Sequence, residues 1–555
     1  MKKEIILIAT LLFSIGSYAQ KDSLNAVIQV ENDYNPVVIK ANKQSFTPQI
    51  EMSKNNNPLE LVFSQEATPY RRFTSERNVK ELLPKQDIAT PGYLRLGYGN
   101  NNNVDALLGY RLDISKNDRI NIFASMNGFN TELEGFWNNW DSRMYDTWLT
   151  TDYTHQFEAL SFGIETGINN KVFNYQTINL GNLREGYTDK QHSNSFNLMF
   201  NVKSNLAGPF SYSAKAGYRY NTRKYSAGLK ERISENHIIA SGSVAYELPN
   251  DDIQKLGMNV DLDGFIYSDE LKPQEGTSFE DYASIRFNPF MNFRFYDWKI
   301  RLGVHADMLT ANGTFFAFAP DCSIEGSITD RIDLYATATG GRTLNTFATL
   351  EEATPYWEYV PGITQQHTAT YKIFDVSVGG RIAIEPLSVN LFTGYAYTKD
   401  DLLCTNEIFR DHQTNVFKQE NTRNLYVGGR LGYDYGGWFE FEADARYDYW
   451  KSSGEEFHLL YKPEITINLN GKAQIYKGLC ANLGYTFTRY TKSSEEPIKG
   501  RIANKSNLHA KIGYTFLDRF EAFVLGDNLI NYDYQIYPGY FAQGINFLIG
   551  AAVSF

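Results

Sequence analysis

WFEFEADARYDYW, residues 438–450, alternates without a break between two kinds of side chain. Phe439, Phe441, Ala443, Ala445, Tyr447 and Tyr449 share one face, while Glu440, Glu442, Asp444, Arg446 and Asp448 share the other. A period of two is that of a β-strand with one wet and one apolar side. Strands of soluble sandwiches usually stop after about 5–6 residues. This one runs roughly twice as far, close to the ~9–11 residues needed to cross a bilayer at a tilt. The same split recurs from Pro91 onward. Ile300, Leu302, Val304, Ala306 and Met308 oppose Lys299, Arg301, Gly303, His305 and Asp307. Leu479, Ala481, Leu483, Tyr485 and Phe487 oppose Cys480, Asn482, Gly484, Thr486 and Thr488, and Leu508 to Phe516 behave alike.

Composition agrees with a wall that is apolar outside and polar inside. Tyr and Phe are abundant at 38 and 37, and Gly outnumbers Pro 42 to 17. The mean hydropathy of −0.41 looks soluble only because alternating strands cancel in any window. Past the N-terminal leader no apolar run approaches the ~20 residues of a spanning helix. The leader itself, MKKEIILIATLLFSIGSYAQ, has two lysines, an apolar stretch and small residues at Ser17 and Ala19, so residues 1–19 read as a secretory signal peptide. Residues 20–91, punctuated by Pro36, Pro48, Pro58, Pro69 and Pro84, read as an extended segment, either a reduced plug or a periplasmic tail. Residues 92–555 read as the barrel. Three scattered cysteines exclude a disulfide framework, and a net charge of −11 gives no basic patch for nucleic acid.

Connections supply a second test, since outer-membrane barrels have short periplasmic turns and longer external loops. Every second connection is short: Lys116-Asn117, Phe157-Glu158, Tyr296-Asp297, Glu385-Pro386, Gly436-Gly437 and Leu517-Asp518 are examples. Between them lie long ones, such as Thr131–Tyr145, Gly340–Gln366, Asp400–Thr422 and Asn531–Gln543. The pattern predicts an all-β, transmembrane antiparallel barrel of about 22 strands in the outer membrane, with both ends in the periplasm. The final stretch, GINFLIGAAVSF from Gly544 to Phe555, is then the closing strand that pairs near Leu94 to Tyr98. Leu548 alone breaks its alternation.

At its end the chain resembles a known family. LGDNLINYDYQIYPGYFAQGINFLIGAAVSF, residues 525–555, is similar to the last hairpin of TonB-dependent receptors. DLYATATGGRTLNTFATLEEATPYW, residues 333–357, resembles a mid-barrel strand and loop of such receptors from Bacteroidetes. The stretches Val27 to Ile50 and Gly92 to Tyr110 resemble the opening of a receptor-like group from the same source. The resemblance implies ligand binding or transport across the outer membrane, and Phe555 as the signal read by the outer-membrane assembly machinery. One departure is plain: the residues from Gln20 to Thr90 are too few for a full plug domain, and AVIQV at 26–30 is only a weak match to a TonB box. TonB coupling is therefore in doubt. The alternative expectation is a non-transporting scaffold or accessory subunit of an assembly or export complex, with other envelope proteins as partners.

Candidate sites are few. There is no G-x-S-x-G, no H-E-x-x-H and no Cys/His cluster at metal spacing, so no enzyme, cofactor or metal is expected. His305 with Asp307 reads as ordinary luminal solvation. Loop aromatics Trp137, Trp140, Tyr356, Trp357 and Tyr359 are candidate contacts for a ligand or partner. Glu440, Glu442, Asp444 and Asp448 form a luminal acidic row that could select permeants, or be answered by Arg430 and Arg446.

Overall fold

The computed structural model describes residues 91–555 except 135–138, 178–188, 206–207, 225–231, 249–252, 269–270, 272–278, 312–314, 359–365, 410–411 and 495–501. The signal peptide, the segment up to Thr90, Trp137 and Tyr359 lie outside the described residues.

Twenty-two strands form one antiparallel sheet. Each pairs with its neighbours in sequence, and the sheet closes where Gly92–Gly99 bonds both Val104–Asp113 and Asn546–Ser554. Leu94 stands opposite Val553 and Tyr98 opposite Ile549, so the closing strand sits where the alternation placed it. Phe555 continues the seam, with backbone bonds to Gly92 in both directions at 2.8 and 2.9 Å and its ring 6.1 Å from that of Tyr110. Closure leaves no edge, which lipid would not tolerate. Leu548 proves to face inward, packed with Phe523 and Leu525.

The turns at Lys116-Asn117, Tyr296-Asp297 and Gly436-Gly437 lie at the same end as Gly92 and Phe555, as does Lys477-Gly478, which the alternation did not mark. Outward residues form an apolar belt: Leu302, Phe316, Phe318, Val378, Leu391, Val427, Leu483, Ile512 and Ile549 are all exposed on the wall. Among the described residues no helix is long and apolar enough to cross a membrane; the strands do the crossing.

Two expectations are corrected. Thr131–Tyr145 is mostly the outer end of a hairpin, strands Asp118–Glu134 and Asn139–Gln156, paired up to Glu134 opposite Asn139. Asp400–Thr422 is not a loop but the outer half of a hairpin, strands Leu387–Phe409 and His412–Tyr435, paired with one slip up to Phe409 opposite His412. Asp401 to Thr405 and His412 to Phe417 are buried without interruption. Where both faces are covered, alternation disappears and a strand no longer looks like one.

Candidate functional site

The outer mouth carries the most elaborate chemistry of the molecule. Strand Ile332–Leu344 slips register between Thr339 and Gly341, where Gly341 takes φ 126°, a value that L side chains rarely adopt. The chain then turns inward as helix Phe347–Ala353, whose Thr346 side chain caps it by accepting from the Thr349 amide at 3.1 Å. Phe347, Leu350 and Ala353 lie three apart and bury one helix face. They pack among inward residues of the wall, Ile233, Phe265, Tyr267 and Tyr282, with Leu402 and Phe417 from the hairpin. Glu235, fully buried, accepts from the Phe347 amide through both oxygens at 3.1 Å, and from Asn221 Nδ2 at 3.0 Å and Tyr267 hydroxyl at 3.2 Å. A carboxylate at the first amide of a helix is favourably placed, and here it fastens the helix to the wall.

Past the helix, Arg223 is the anchor. Its guanidinium lies 3.1 Å from Glu351 Oε2 and donates to Pro355 carbonyl at 2.7 Å and to Tyr175 hydroxyl at 3.2 Å. It also stacks over Trp357 and Phe173, 4.6 and 5.2 Å from their centroids. The Trp357 indole donates to Glu351 at 3.0 Å, and Tyr175 donates to Glu358. Both terminal nitrogens of this buried cation are thus used, one on a carboxylate.

Asn415, on the hairpin, ties the loops together. Its backbone exchanges bonds with Tyr356 and Glu358 at 2.9 and 3.0 Å, forming a short parallel bridge at Trp357. Its side chain accepts from Thr354 hydroxyl at 2.7 Å and donates to Pro538 carbonyl at 2.8 Å. Pro538 belongs to the loop before the last strand, where short strands Gln535–Tyr537 and Tyr540–Phe541 pair. Gly539 turns this hairpin at φ 81°, and a side chain there would run into Gln413 and Asn406. Tyr540 stacks on Tyr356 at 3.4 Å and 5°, meets Trp140 edge-on at 5.6 Å, and donates to Gln413 carbonyl. Burial pushes the phenols of Tyr175, Tyr356 and Tyr540 well above the usual tyrosine range, so they remain donors.

Of the sequence candidates, Trp140, Tyr356 and Trp357 are thus brought together, but at 6%, 2% and 2% exposure they face one another rather than solvent. The acidic row lies on the luminal face with cations against it. Asp444 pairs with Arg430 at 2.5 Å, Glu440 with Lys472 at 3.4 Å and Asp448 with Arg446 at 2.7 Å, and Glu442 stands opposite Gly432 and Asn470. Asp307 is buried between Arg286 at 2.9 Å and Arg342 at 3.7 Å, and Arg342 reaches Asp263 at 3.2 Å. Arg223, Glu235, Tyr175, Asn415 and Tyr540 escaped the sequence reading, since nothing local distinguishes them from other wall or loop residues. The stretch LEEATPYW and the last hairpin, residues 525–555, both singled out by resemblance, pointed to this place.

No protein-family model matches the chain, and no curated protein matches it in sequence. Solved structures do. A variant of the FrpB iron transporter from Neisseria meningitidis aligns over 86% of this chain and 83% of its own, with a TM-score of 0.66 and 10% identity. The ferric enterobactin receptor PfeA from Pseudomonas aeruginosa aligns over 84% and 81%, with a TM-score of 0.63 and 11% identity. The copper transporter OprC aligns over 84% and 80%, with a TM-score of 0.60 and 12% identity. The fold is that of a closed 22-stranded outer-membrane barrel. The likeness lies in the barrel itself, its strand number and its closure.

Proposed function

We propose that this outer-membrane barrel binds a ligand at its outer mouth or carries it across the membrane. The observation behind this reading is the closed 22-stranded wall, which aligns over most of its length with transporters and receptors named for iron, ferric enterobactin and copper. In this reading Trp140, Tyr356 and Trp357 meet the ligand only after the segment from Thr346 to Glu358 lifts from Arg223 and Asn415. The luminal pairs of Glu440, Asp444 and Asp448 would line the path below. A second reading, a non-transporting scaffold of an envelope complex, is favoured by the seal: its aromatics and charges are spent on one another.

One experiment separates the two. Cells lacking the chain are tested for accumulation of ferric siderophores and copper, with and without an uncoupler of the inner membrane. Loss of accumulation for one ligand, restored by the wild-type gene, supports transport, and sensitivity to the uncoupler supports energy coupling. Unchanged accumulation, together with co-purification of other envelope proteins, would leave the scaffold reading standing.

A further inference from the structure

The outer wall of three adjacent strands, Leu387–Phe409, His412–Tyr435 and Phe439–Ser452, ends in cations. Register sets Arg423 opposite Tyr397 on one side and opposite Lys451 on the other. Lys399 follows two residues after Tyr397. Just below, Leu425 faces Tyr449 and Val427 faces Tyr447, four exposed residues of the apolar belt. Like charges placed directly across a strand pair weaken it. Nothing in the protein offsets the repulsion: among the described residues Arg423 and Lys451 meet no carboxylate, only the rings of Tyr397 at 5.9 Å and Tyr449 at 5.6 Å. Several cations on these and the following strands are matched. Arg430 has Asp444, Lys472 has Glu440, and Arg489 has Glu464 at 3.2 Å.

We propose that Arg423 and Lys451 bind the phosphate of an outer-leaflet glycolipid, whose acyl chains lie on Leu425, Val427, Tyr447 and Tyr449. An anion between Arg423 and Lys451 turns a repulsive register into two attractive contacts, and the planar guanidinium suits phosphate oxygens. A lipid is the occupant because the cations stand at the end of a column already facing hydrocarbon; an anion with apolar tails satisfies both parts at once. The site faces away from the lumen, so it holds for a transporter or a scaffold alike.

The test uses the full chain purified in a non-ionic detergent and stripped of lipid. Native mass spectrometry follows retention of diphosphorylated lipid A, of the same lipid after phosphatase treatment, and of the first in excess inorganic phosphate. The wild type should keep the phosphorylated lipid far better than the dephosphorylated one, and inorganic phosphate should displace it poorly. Arg423→Gln with Lys451→Gln should weaken retention roughly thirtyfold, while Arg381→Gln on the luminal face should change nothing. Equal retention of the two lipid forms by the wild type overturns the proposal without any variant having to fold. Ready displacement by inorganic phosphate overturns the lipid assignment. So does a wild-type dimer that the double substitution disperses while lipid retention stays the same.

Discussion

The mid-barrel wall and the outer mouth are built from the same strands yet obey different rules. On the wall, polar residues face a luminal side open to water: Arg381 and Glu325 pair at 2.7 Å with nearly half of each side chain accessible. At the mouth, Arg223, Glu235 and Asn415 are buried outright, and each is held by several partners. The wall therefore needs only the correct alternation. The mouth needs its buried charges paired, because an unpaired buried charge costs far more than a paired exposed one gains. One region tolerates substitution on its wet side, whereas the other fails when a single partner is lost.

Arg223→Ala probes the mouth at its most sensitive point. It would leave the buried Glu358 without the cation beside it and Glu351 with only the distant Lys171 at 3.9 Å, and the expected loss is about 3–5 kcal/mol of local stability. Hydrogen exchange of the amides from Phe347 to Trp357 should rise sharply, while heat-modifiable migration of the barrel on a gel stays normal. Slow exchange retained in the variant would mean that the seal is held by its aromatic packing alone.

A smaller but still large effect is expected when the two faces of the wall are compared directly. Ala443→Arg puts a charge against lipid and should cost on the order of 2–4 kcal/mol, whereas Asp444→Arg, on the luminal side, should cost far less. Urea unfolding in lipid vesicles measures both. Equal losses would contradict the assignment of faces on which the barrel reading rests.

Within the seal, the stacked pair Tyr356 and Tyr540 should show a coupling of about 0.5–1.5 kcal/mol in a double-mutant cycle to Leu, read from the same amides. No coupling would reduce their 3.4 Å contact to simple coverage. At the gentle end, Arg381→Ala should shift stability by less than about 1 kcal/mol, as befits an exposed pair in water. A larger shift would show the luminal wall to be drier than its accessibility suggests.

Alternation alone determined the strands, their faces, the closing pair and the membrane setting, because lipid on one side and water on the other write a period of two into each segment. Stretches such as Phe439 to Tyr449 could hardly be read otherwise. The same signal vanished from Asp401 to Thr405 and from His412 to Phe417, where protein covers both faces. The aromatics of the site were legible as a group, Trp140, Tyr356 and Trp357 among them, but not what they do. Their partners Arg223, Tyr175, Asn415 and Tyr540 come from distant stretches of chain, and only closing the cylinder brings those stretches to one rim. Burial at that rim, decided by how the outer segments fold inward, packs Trp140, Tyr356 and Trp357 into aromatic clusters with these partners.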